Sequence, residues 1–165
     1  MTGSGTGRTW PADWFDPKAG RGCLICGQDR AASEDPLGNP RIFAGEHADA
    51  YLVREAVQRG YAVVLWRGRH IAEPTELTES ELTSYWRDVL VVARALAAHY
   101  LPAQINYEIH GNSVPHVHTH VQSRFLDDAG PGRPLDWSDR NQLPEASFEA
   151  DVKALRALLA GVGNA

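Results

Sequence analysis

The sequence predicts an α+β domain with an antiparallel β-sheet of about five strands, one long central helix and a C-terminal helix. Five short segments are rich in β-branched and aromatic residues, the composition that favours strands. Two longer segments repeat apolar residues at three-to-four spacing, which is typical of amphipathic helices. The 165 residues suit one domain with a sizeable core, and no internal repeat or second domain is evident.

Composition and charge exclude several classes of protein. The chain is 43% hydrophobic and 22% charged, which is ordinary for a soluble globular protein. Its formal net charge of −5 argues against a sequence-independent binder of nucleic acid polymers, because such a binder needs a basic face. No apolar run approaches the ~20 residues of a membrane span, and the first residues lack the apolar segment of a signal peptide. We therefore expect a cytoplasmic protein with no membrane or nucleic-acid partner.

Residues 1–22 are a lead-in punctuated by glycine and proline, and we expect this lead-in to be flexible and poorly ordered at its tip. Residues 23–165 should then form the single domain. Trp10, Trp14 and Phe15 are unusual in such a lead-in. We expect these aromatic side chains to cover an apolar patch on the body of the protein or on a partner subunit.

Cys23 and Cys26 form a Cys-x-x-Cys motif followed by Gly27, which indicates a metal knuckle or a redox pair. A redox pair should follow a strand and open a helix, whereas proline and glycines precede this motif, so a zinc knuckle is favoured. A knuckle supplies only two ligands, and the other two must then be histidines. Two unligated thiols are the remaining alternative, and with only two cysteines no disulfide framework is implied.

The first two predicted strands are residues 41–43 and 50–53, and they lie on either side of a turn that contains His47. We interpret His47 first as a surface residue and second as a possible ligand. Residues 60–66 have the composition of a buried strand and run into a basic corner that ends at His70.

The long helix should begin after Thr78, because Thr78 and Glu81 form a capping box, and it should run to about His99. Its predicted core stripe consists of Leu82, Tyr85, Trp86, Val89, Val92, Ala93 and Leu96.

Residues 105–109 alternate as a strand, and residues 110–112 are the predicted turn of an antiparallel hairpin with the next strand. Residues 127–137 form an acidic, Gly- and Pro-rich loop without a regular pattern. The final helix should end at Gly161. Its predicted stripe consists of Phe148, Val152, Leu155, Leu158 and Leu159.

The segment 113–121 contains His116, His118 and His120 at alternate positions, separated by β-branched residues. Because side chains on a strand alternate between its faces, all three imidazoles should emerge from one face. Such a row has no obvious packing reason. It suits metal ligation, or nucleophilic catalysis in which one histidine attacks and its neighbours orient it and protonate the leaving group. A cupin-like metal strand normally adds a glutamate within a few residues of its histidines. Here no acidic residue follows His120 until Asp127, which weakens the interpretation as a metal-oxygenase strand.

Residues 111–122, which read Gly-Asn-Ser-Val-Pro-His-Val-His-Thr-His-Val-Gln, resemble the signature of the histidine-triad (HIT) nucleotide hydrolases and transferases. That signature is His-φ-His-φ-His-φ-φ, where φ is apolar, and Thr119 and Gln122 depart from it. The resemblance extends over about residues 23–125, including the strand and basic corner that end at His70. It implies a HIT-like fold and, by family analogy, a homodimer.

The resemblance also assigns roles to individual residues. His118, in the middle of the triad, matches the nucleophile, and His120 matches the histidine near the departing group and the phosphate oxygens. With His116 they are the candidate catalytic residues. The candidate substrate-binding residues are Asn106, Asn112, Ser113 and Val114.

Zinc-carrying members of the family have a Cys-x-x-Cys near the start, a histidine after the first long strand and the first triad histidine. These positions correspond to Cys23, Cys26, His70 and His116. The resemblance therefore implies a closed, structural zinc site beside the nucleophile.

The function that the resemblance implies is cleavage of a nucleoside-phosphate anhydride, amidate or ester at the α-phosphorus, through a nucleotidyl-histidine that passes to water or to phosphate. Its substrate would be a small nucleotide. Two alternatives stay open. One is a non-catalytic nucleotide-binding or interaction module, and the other is a metalloenzyme whose ion is held by His118 and His120.

Overall fold

The computed structural model describes residues 9–128, 130 and 132–161, and it confirms the α+β class. The helices are α1 (Phe15–Lys18), α2 (Glu79–Tyr100) and α3 (Glu145–Leu159). The strands are β1 (Arg41–Ala44), β2 (Ala48–Leu52), β3 (Glu55–Ala56), β4 (Tyr61–Trp66), β5 (Gln104–Glu108), β6 (His118–Arg124) and β7 (Asn141–Gln142). Single 3₁₀ turns lie at Pro74–Glu76 and Trp137–Asp139.

The main sheet has five strands in the order β1-β2-β4-β6-β5, and every neighbouring pair is antiparallel. Strand β6 therefore lies between β4 and β5. His118 is opposite Leu65 on β4, and His120 is opposite both Val63 on β4 and Glu108 on β5. Because directly opposed residues share a face of the sheet, these side chains emerge on the same side.

The other face of the sheet packs against α2 and α3 and forms the main core. Val117 and Val121 belong to this core, and the hydroxyl of Thr119 lies 2.8 Å from that of Tyr85 on α2. The predicted placement of Val117, Thr119 and Val121 on the face opposite the histidines is thus confirmed. A smaller apolar cluster lies on the histidine face, and its buried members are Cys23, Ile25, Tyr51, Val63 and Leu65.

The predicted tight turn between the last two long strands is wrong, because residues 109–117 all lie between β5 and β6. His116 precedes β6 and is not part of it. The reason is the backbone pairing of Val117: its N–H donates to Ile71 O at 2.8 Å, and its carbonyl accepts from the N–H of Trp66 at 3.1 Å. This stretch therefore pairs with the chain around the end of β4 instead of with β5.

Two leucines assigned to the helix stripes face solvent: Leu82 is 39% exposed and Leu158 is 44% exposed. The sequence also gave no sign of buried Asp88 on α2, whose Oδ2 accepts from the backbone N–H groups of His47 and Ala48. The carboxylate thus pairs the backbone N–H groups at the start of β2. This pairing accounts for a charged residue at the contact between α2 and the sheet.

Trp10 and Phe15 of the lead-in do not cover the body of the protein, whereas Trp14 is half-buried. Trp10 and Trp14 pack on each other with ring centroids 4.5 Å apart, while Trp10 and Phe15 are 61% and 76% exposed. Contact with a partner subunit therefore remains a prediction. The predicted poorly ordered tip of the lead-in lies outside the described residues, and the division between residues 1–22 and 23–165 also stays a prediction.

No helix in the described parts of the chain is long and apolar enough to cross a membrane.

The capping box at the start of α2 leads to a first prediction. The N–H of Glu81 donates to Thr78 Oγ1 at 3.3 Å, and the N–H of Thr78 donates to the Glu81 carboxylate at 2.8 Å. We expect Thr78→Ala to lower the free energy of unfolding by about 1 kcal/mol and the melting temperature by roughly 2–4 °C. Thr83→Ala, which removes a hydroxyl in the second turn of α2 that donates to Glu79 O, should have a smaller effect. Equal losses in thermal melts of the two variants would contradict a capping role.

Candidate functional site

Four potential metal ligands, Cys23, Cys26, His70 and His116, converge on one point, with ligand atoms all within 4.8 Å of one another. The Nδ1 atom of His116 lies 3.5 Å from both sulfur atoms, and the Nδ1 atom of His70 lies 3.4 Å from Cys26 Sγ. A tetrahedral zinc ion with ordinary Zn–S and Zn–N bonds separates its sulfur and nitrogen ligands by about 3.5 Å. Three of the sulfur–nitrogen distances therefore match those of a tetrahedral zinc site, and the donor set of two cysteines and two histidines fits a zinc ion.

The second nitrogen of each histidine in this cluster is held by a backbone carbonyl. His116 Nε2–H donates to Trp66 O at 2.8 Å, and His70 Nε2–H donates to Lys18 O at 3.1 Å. Such bonds fix the tautomer that leaves Nδ1 as a bare ligand atom. Gly20, at φ +85°, lies against the His70 ring, where a Cβ would come within 3.1 Å.

Buried Arg67 connects the Cys-x-x-Cys loop to the sheet. Its Nε donates to Asp49 Oδ2 at 2.6 Å, and its Nη1 donates to the carbonyl oxygen of Ile25 at 3.3 Å. Burial and the neighbouring Cys23 raise the pKa of Cys26 to about 11 in the metal-free chain. A thiolate at neutral pH therefore needs a cation beside it, as a Cys₂His₂ site provides.

His118 and His120 occupy the start of β6, next to this cluster, with ring centroids 4.8 Å apart. The Nδ1 atom of His118 lies 2.6 Å from the carbonyl oxygen of His116, so Nδ1 carries the proton and donates it. The Nε2 atom of His118 then keeps its lone pair, and it has no hydrogen-bond partner within the described residues. This is the tautomer that nucleophilic attack through Nε2 requires.

His120 lies in an aromatic cage. The hydroxyl of Tyr61 is 2.6 Å from His120 Nδ1, and the ring of Trp137 contacts both side chains edge-on, with centroids 5.1 Å from Tyr61 and 5.2 Å from His120. Sequence reasoning assigned Trp137 to an irregular loop and Tyr61 to a buried strand only.

The loop that carries Trp137 is anchored at both ends. At its start, Arg124 donates to the buried carboxylate of Asp128 at 2.7 Å, and to Gly130 O at 2.7 Å. At its end, β7 pairs with β3 in a small two-stranded sheet that the sequence did not predict. Because of these contacts, the segment that contains Trp137 lies over the face of the sheet that bears His118 and His120.

Burial keeps all three triad imidazoles neutral near pH 7. Desolvation lowers the pKa of His116 to about 4 and that of His120 to about 3, and the neighbouring His118 and His110 lower the His120 value further. The pKa of His118 is also lowered by burial, against the opposing effect of its bond to the His116 carbonyl. A neutral imidazole is the form that can attack an electrophile.

A groove beside His120 includes Asn106, one of the residues predicted to bind substrate. Glu108 and His110 line it too, and their side chains are 3.0 Å apart, while the His110 ring lies 5.5 Å from that of His120. His110 was interpreted as a turn residue only. Pro134, Leu135 and Trp137 form the apolar part of the groove.

The other predicted substrate residues, Asn112, Ser113 and Val114, lie in the segment before β6. Asn112 and Ser113 are exposed, and Val114 packs on the small apolar cluster that contains Cys23. His116 donates its backbone N–H to Val114 O at 2.9 Å, so the loop bends back immediately before the triad. Their role in binding a phosphate remains a prediction.

His47 takes no part in the cluster of potential metal ligands. Its ring stacks on that of Trp66 with centroids 6.0 Å apart. Its interpretation as a surface residue was incomplete, because the stacking leaves it half-buried.

Comparison with known proteins is consistent with this architecture. The HIT domain family model matches residues 39–126, more than half of the chain. A solved histidine triad protein from Bradyrhizobium japonicum has a TM-score of 0.66 and 22% identity, over 73% of this chain and 90% of that chain. No curated protein sequence gives a match.

Two further solved structures are similar to the chain. A Zn-bound histidine triad family protein from Mycobacterium smegmatis has a TM-score of 0.57 and 23% identity, over 74% of this chain and 84% of that chain. The NitFhit protein of C. elegans has a TM-score of 0.56 and 19% identity, over 72% of this chain and 27% of that chain. At these identities the likeness concerns the fold, and it confirms the expected HIT-like arrangement.

Proposed function

The chain belongs to the HIT family, and on that premise we propose that it is a nucleotidyl hydrolase or transferase that acts at the α-phosphorus of a nucleoside-phosphate anhydride, amidate or ester. The observation that carries this proposal is the state of His118, a buried neutral imidazole whose Nδ1–H is bound to the His116 carbonyl. Its free Nε2 lone pair is a nucleophile that needs no metal to activate it.

In the first step, His118 Nε2 attacks the α-phosphorus and forms an N–P bond. The P–O or P–N bond to the leaving group breaks, and that group departs with the bonding electron pair and takes up a proton from solvent. His120 lies beside the departing group in this proposal, where a ring N–H can donate to it or to a phosphoryl oxygen. Backbone amides of residues 112–114 and the side chain of Asn106 would hold the remaining phosphoryl oxygens.

In the second step, water attacks the same phosphorus and a P–O bond forms as the N–P bond breaks. One proton of the water is released, and His118 returns to the neutral imidazole. The products are a nucleoside monophosphate and the protonated leaving group. Inorganic phosphate in place of water would give a nucleoside diphosphate, as in a phosphorylase.

We also propose that Cys23, Cys26, His70 and His116 bind a structural zinc ion, which is supported by the sulfur–nitrogen distances and by the backbone carbonyls that hold the other ring nitrogen of each histidine. These four residues would hold the ion, and zinc there would crosslink the Cys-x-x-Cys loop to the sheet in a structural role, with all four ligands supplied by the protein. His116 thereby contributes to catalysis through the carbonyl that orients His118.

The alternative of an ion held by His118 and His120 has less support. Within the described residues, the group of at least three potential ligands that converge is the Cys₂His₂ cluster, and it contains neither histidine. The Nδ1 atoms of both are also bonded, to His116 O and to Tyr61.

Turnover separates the enzyme from a non-catalytic nucleotide-binding module. The purified protein should hydrolyse an adenylyl amidate or a dinucleoside polyphosphate and release one nucleoside monophosphate per event. Binding of these compounds without release of any product would identify a binding module instead. Metal analysis of a His120→Asn variant tests the third class, because a triad-bound ion would be lost and the proposed zinc would be kept.

The proposed substrate is one nucleotide unit and not a polymer. The net charge is −5, and the groove beside His120 contains Glu108. We therefore expect a mononucleotide to bind at least as tightly as a long single-stranded RNA of the same base. Titrations of both ligands at several salt concentrations measure this, and tight polymer binding with a much steeper salt dependence would contradict it.

A homodimer and a cytoplasmic location are parts of the same proposal. The edge of the sheet is open at β5, where Tyr107 and nearby Ile109 are 41% and 40% exposed. Sedimentation of the purified chain tests the oligomeric state directly.

A further inference from the structure

We propose that Tyr61 is a positioning residue that holds His120 in the tautomer with its proton on Nε2, so that this N–H is available to the substrate. The inference rests on the proposed function for the identity of that substrate. It rests on geometry for the tautomer itself, since the Tyr61 hydroxyl lies 2.6 Å from His120 Nδ1.

The direction of this hydrogen bond follows from counting donors and acceptors. A tyrosine hydroxyl has one proton to donate, and a neutral imidazole has one protonated and one bare nitrogen. Within the described residues, His120 Nδ1 is the hydrogen-bond partner of the Tyr61 hydroxyl. If Nδ1 carried the proton, the buried hydroxyl would keep its own proton without an acceptor, which is costly. The hydroxyl therefore donates to Nδ1, and the imidazole proton lies on Nε2.

Both partners remain neutral at working pH, which this arrangement requires. Burial raises the pKa of Tyr61, and the nearby Glu108 raises it further, so the hydroxyl keeps its proton. Burial lowers the pKa of His120 to about 3, so its Nδ1 stays bare.

Trp137 fixes the pair in place. The plane of its ring makes angles of 81° with that of Tyr61 and 72° with that of His120, so Trp137 packs edge-on against both side chains. The backbones of the two residues are fixed by the pairing of β4 with β6. A flip of the imidazole would put Cδ2 in the place of Nδ1 and break the hydrogen bond to Tyr61.

The two catalytic imidazoles are therefore set in opposite tautomers by different partners. The His116 carbonyl accepts from His118 Nδ1 and leaves His118 Nε2 bare as the attacking atom. The Tyr61 hydroxyl donates to His120 Nδ1 and leaves Nε2–H as a donor. One residue thus supplies a lone pair and the other a hydrogen-bond donor, although both are neutral imidazoles 4.8 Å apart. Tyr61 therefore matters for the reaction because it keeps the N–H of His120 directed to the substrate.

Tyr61→Phe tests the proposal because it removes only the hydroxyl and keeps the ring against Trp137. Nitrogen NMR of protein with labelled histidine should show, in the wild type, a proton on His120 Nε2 and a hydrogen-bonded, bare Nδ1. In Tyr61→Phe the Nδ1 resonance should move to that of an unbonded nitrogen and the second tautomer should become detectable. On a nucleotide substrate, kcat should fall roughly three- to tenfold with little change in KM, since about one hydrogen bond is lost.

Tyr85→Phe is the matched control. It also removes a buried tyrosine hydroxyl bonded near β6, to Val64 O and Thr119 Oγ1, but on the helix side of the sheet. It should lower the melting temperature and leave the His120 resonances and kcat unchanged.

A wild-type His120 with its proton on Nδ1 would overturn the inference. So would a folded Tyr61→Phe with unchanged His120 resonances and unchanged kcat. If the wild type turns over no nucleotide, the proposed function fails, while the NMR comparison still decides the tautomer.

Discussion

Replacing His118 with asparagine should reduce turnover of nucleotide substrates by more than ~100-fold and leave nucleotide binding within a few-fold of the wild type. Asparagine keeps a polar side chain of similar length at the start of β6 and can still donate to the His116 carbonyl. It has no lone pair that can attack phosphorus. Steady-state kinetics and calorimetric titration with a nucleoside monophosphate measure the two effects separately.

His47→Asn is the matched control for this experiment, because His47 is also a half-buried histidine but stacks on Trp66 outside the triad. It should retain nearly full activity. A His118→Asn variant that keeps more than a few per cent of the wild-type rate on the tested substrates would show that His118 is not the nucleophile.

Among the variants proposed for this chain, replacing one cysteine of the proposed zinc site should have the largest effect on stability. Purified wild-type protein should contain about one equivalent of zinc, and Cys23→Ser should lower both the zinc content and the melting temperature. Each kcal/mol of lost stabilisation corresponds to roughly 2–4 °C in a chain of this size. The reason is that zinc ties residues 23–26 to His70 and His116, which lie next to the two central strands.

A chelator separates loss of the metal from loss of packing by buried Cys23. After chelation, the melting temperatures of wild type and Cys23→Ser should converge, whereas His47→Asn should keep its zinc. Metal-free wild-type protein of unchanged stability, or a crystal structure with His47 as the third ligand, would refute the assignment.

Short-range sequence patterns correctly predicted two features of the fold, the buried face of the triad segment and the start of α2. The period-two placement of Val117, Thr119 and Val121 correctly predicted which face of the triad segment enters the core. The capping box at Thr78 correctly placed the start of α2. Each of these depends on residues a few positions apart, so the sequence alone contains the necessary information.

The sequence did not predict Trp137 or Tyr61 as parts of the site, because their positions depend on contacts between distant segments. Trp137 reaches His120 only because Arg124 anchors the start of its loop and β7 pairs with β3 at the end. Tyr61 lies in an apolar strand, where an aromatic residue looks like core. Such pairings across the sheet leave no periodic signal in the chain.

The path of His116 shows the same limit. Three histidines at alternate positions indicate one uninterrupted strand, yet β6 begins only at His118. The backbone of Val117 pairs with Ile71 and Trp66, and the His116 ring reaches the cysteines instead of continuing the row. The zinc assignment came from resemblance to a family and not from the histidine spacing.

The stereochemical course at phosphorus tests the double displacement at His118 most directly. A substrate that is chiral at the α-phosphorus, such as a nucleoside α-phosphorothioate anhydride, can be hydrolysed in oxygen-18 water and the configuration of the product determined. Each in-line displacement inverts phosphorus, so attack by His118 followed by attack of water predicts net retention. Net inversion would show that water attacks the substrate directly, and it would contradict the nucleotidyl-histidine intermediate.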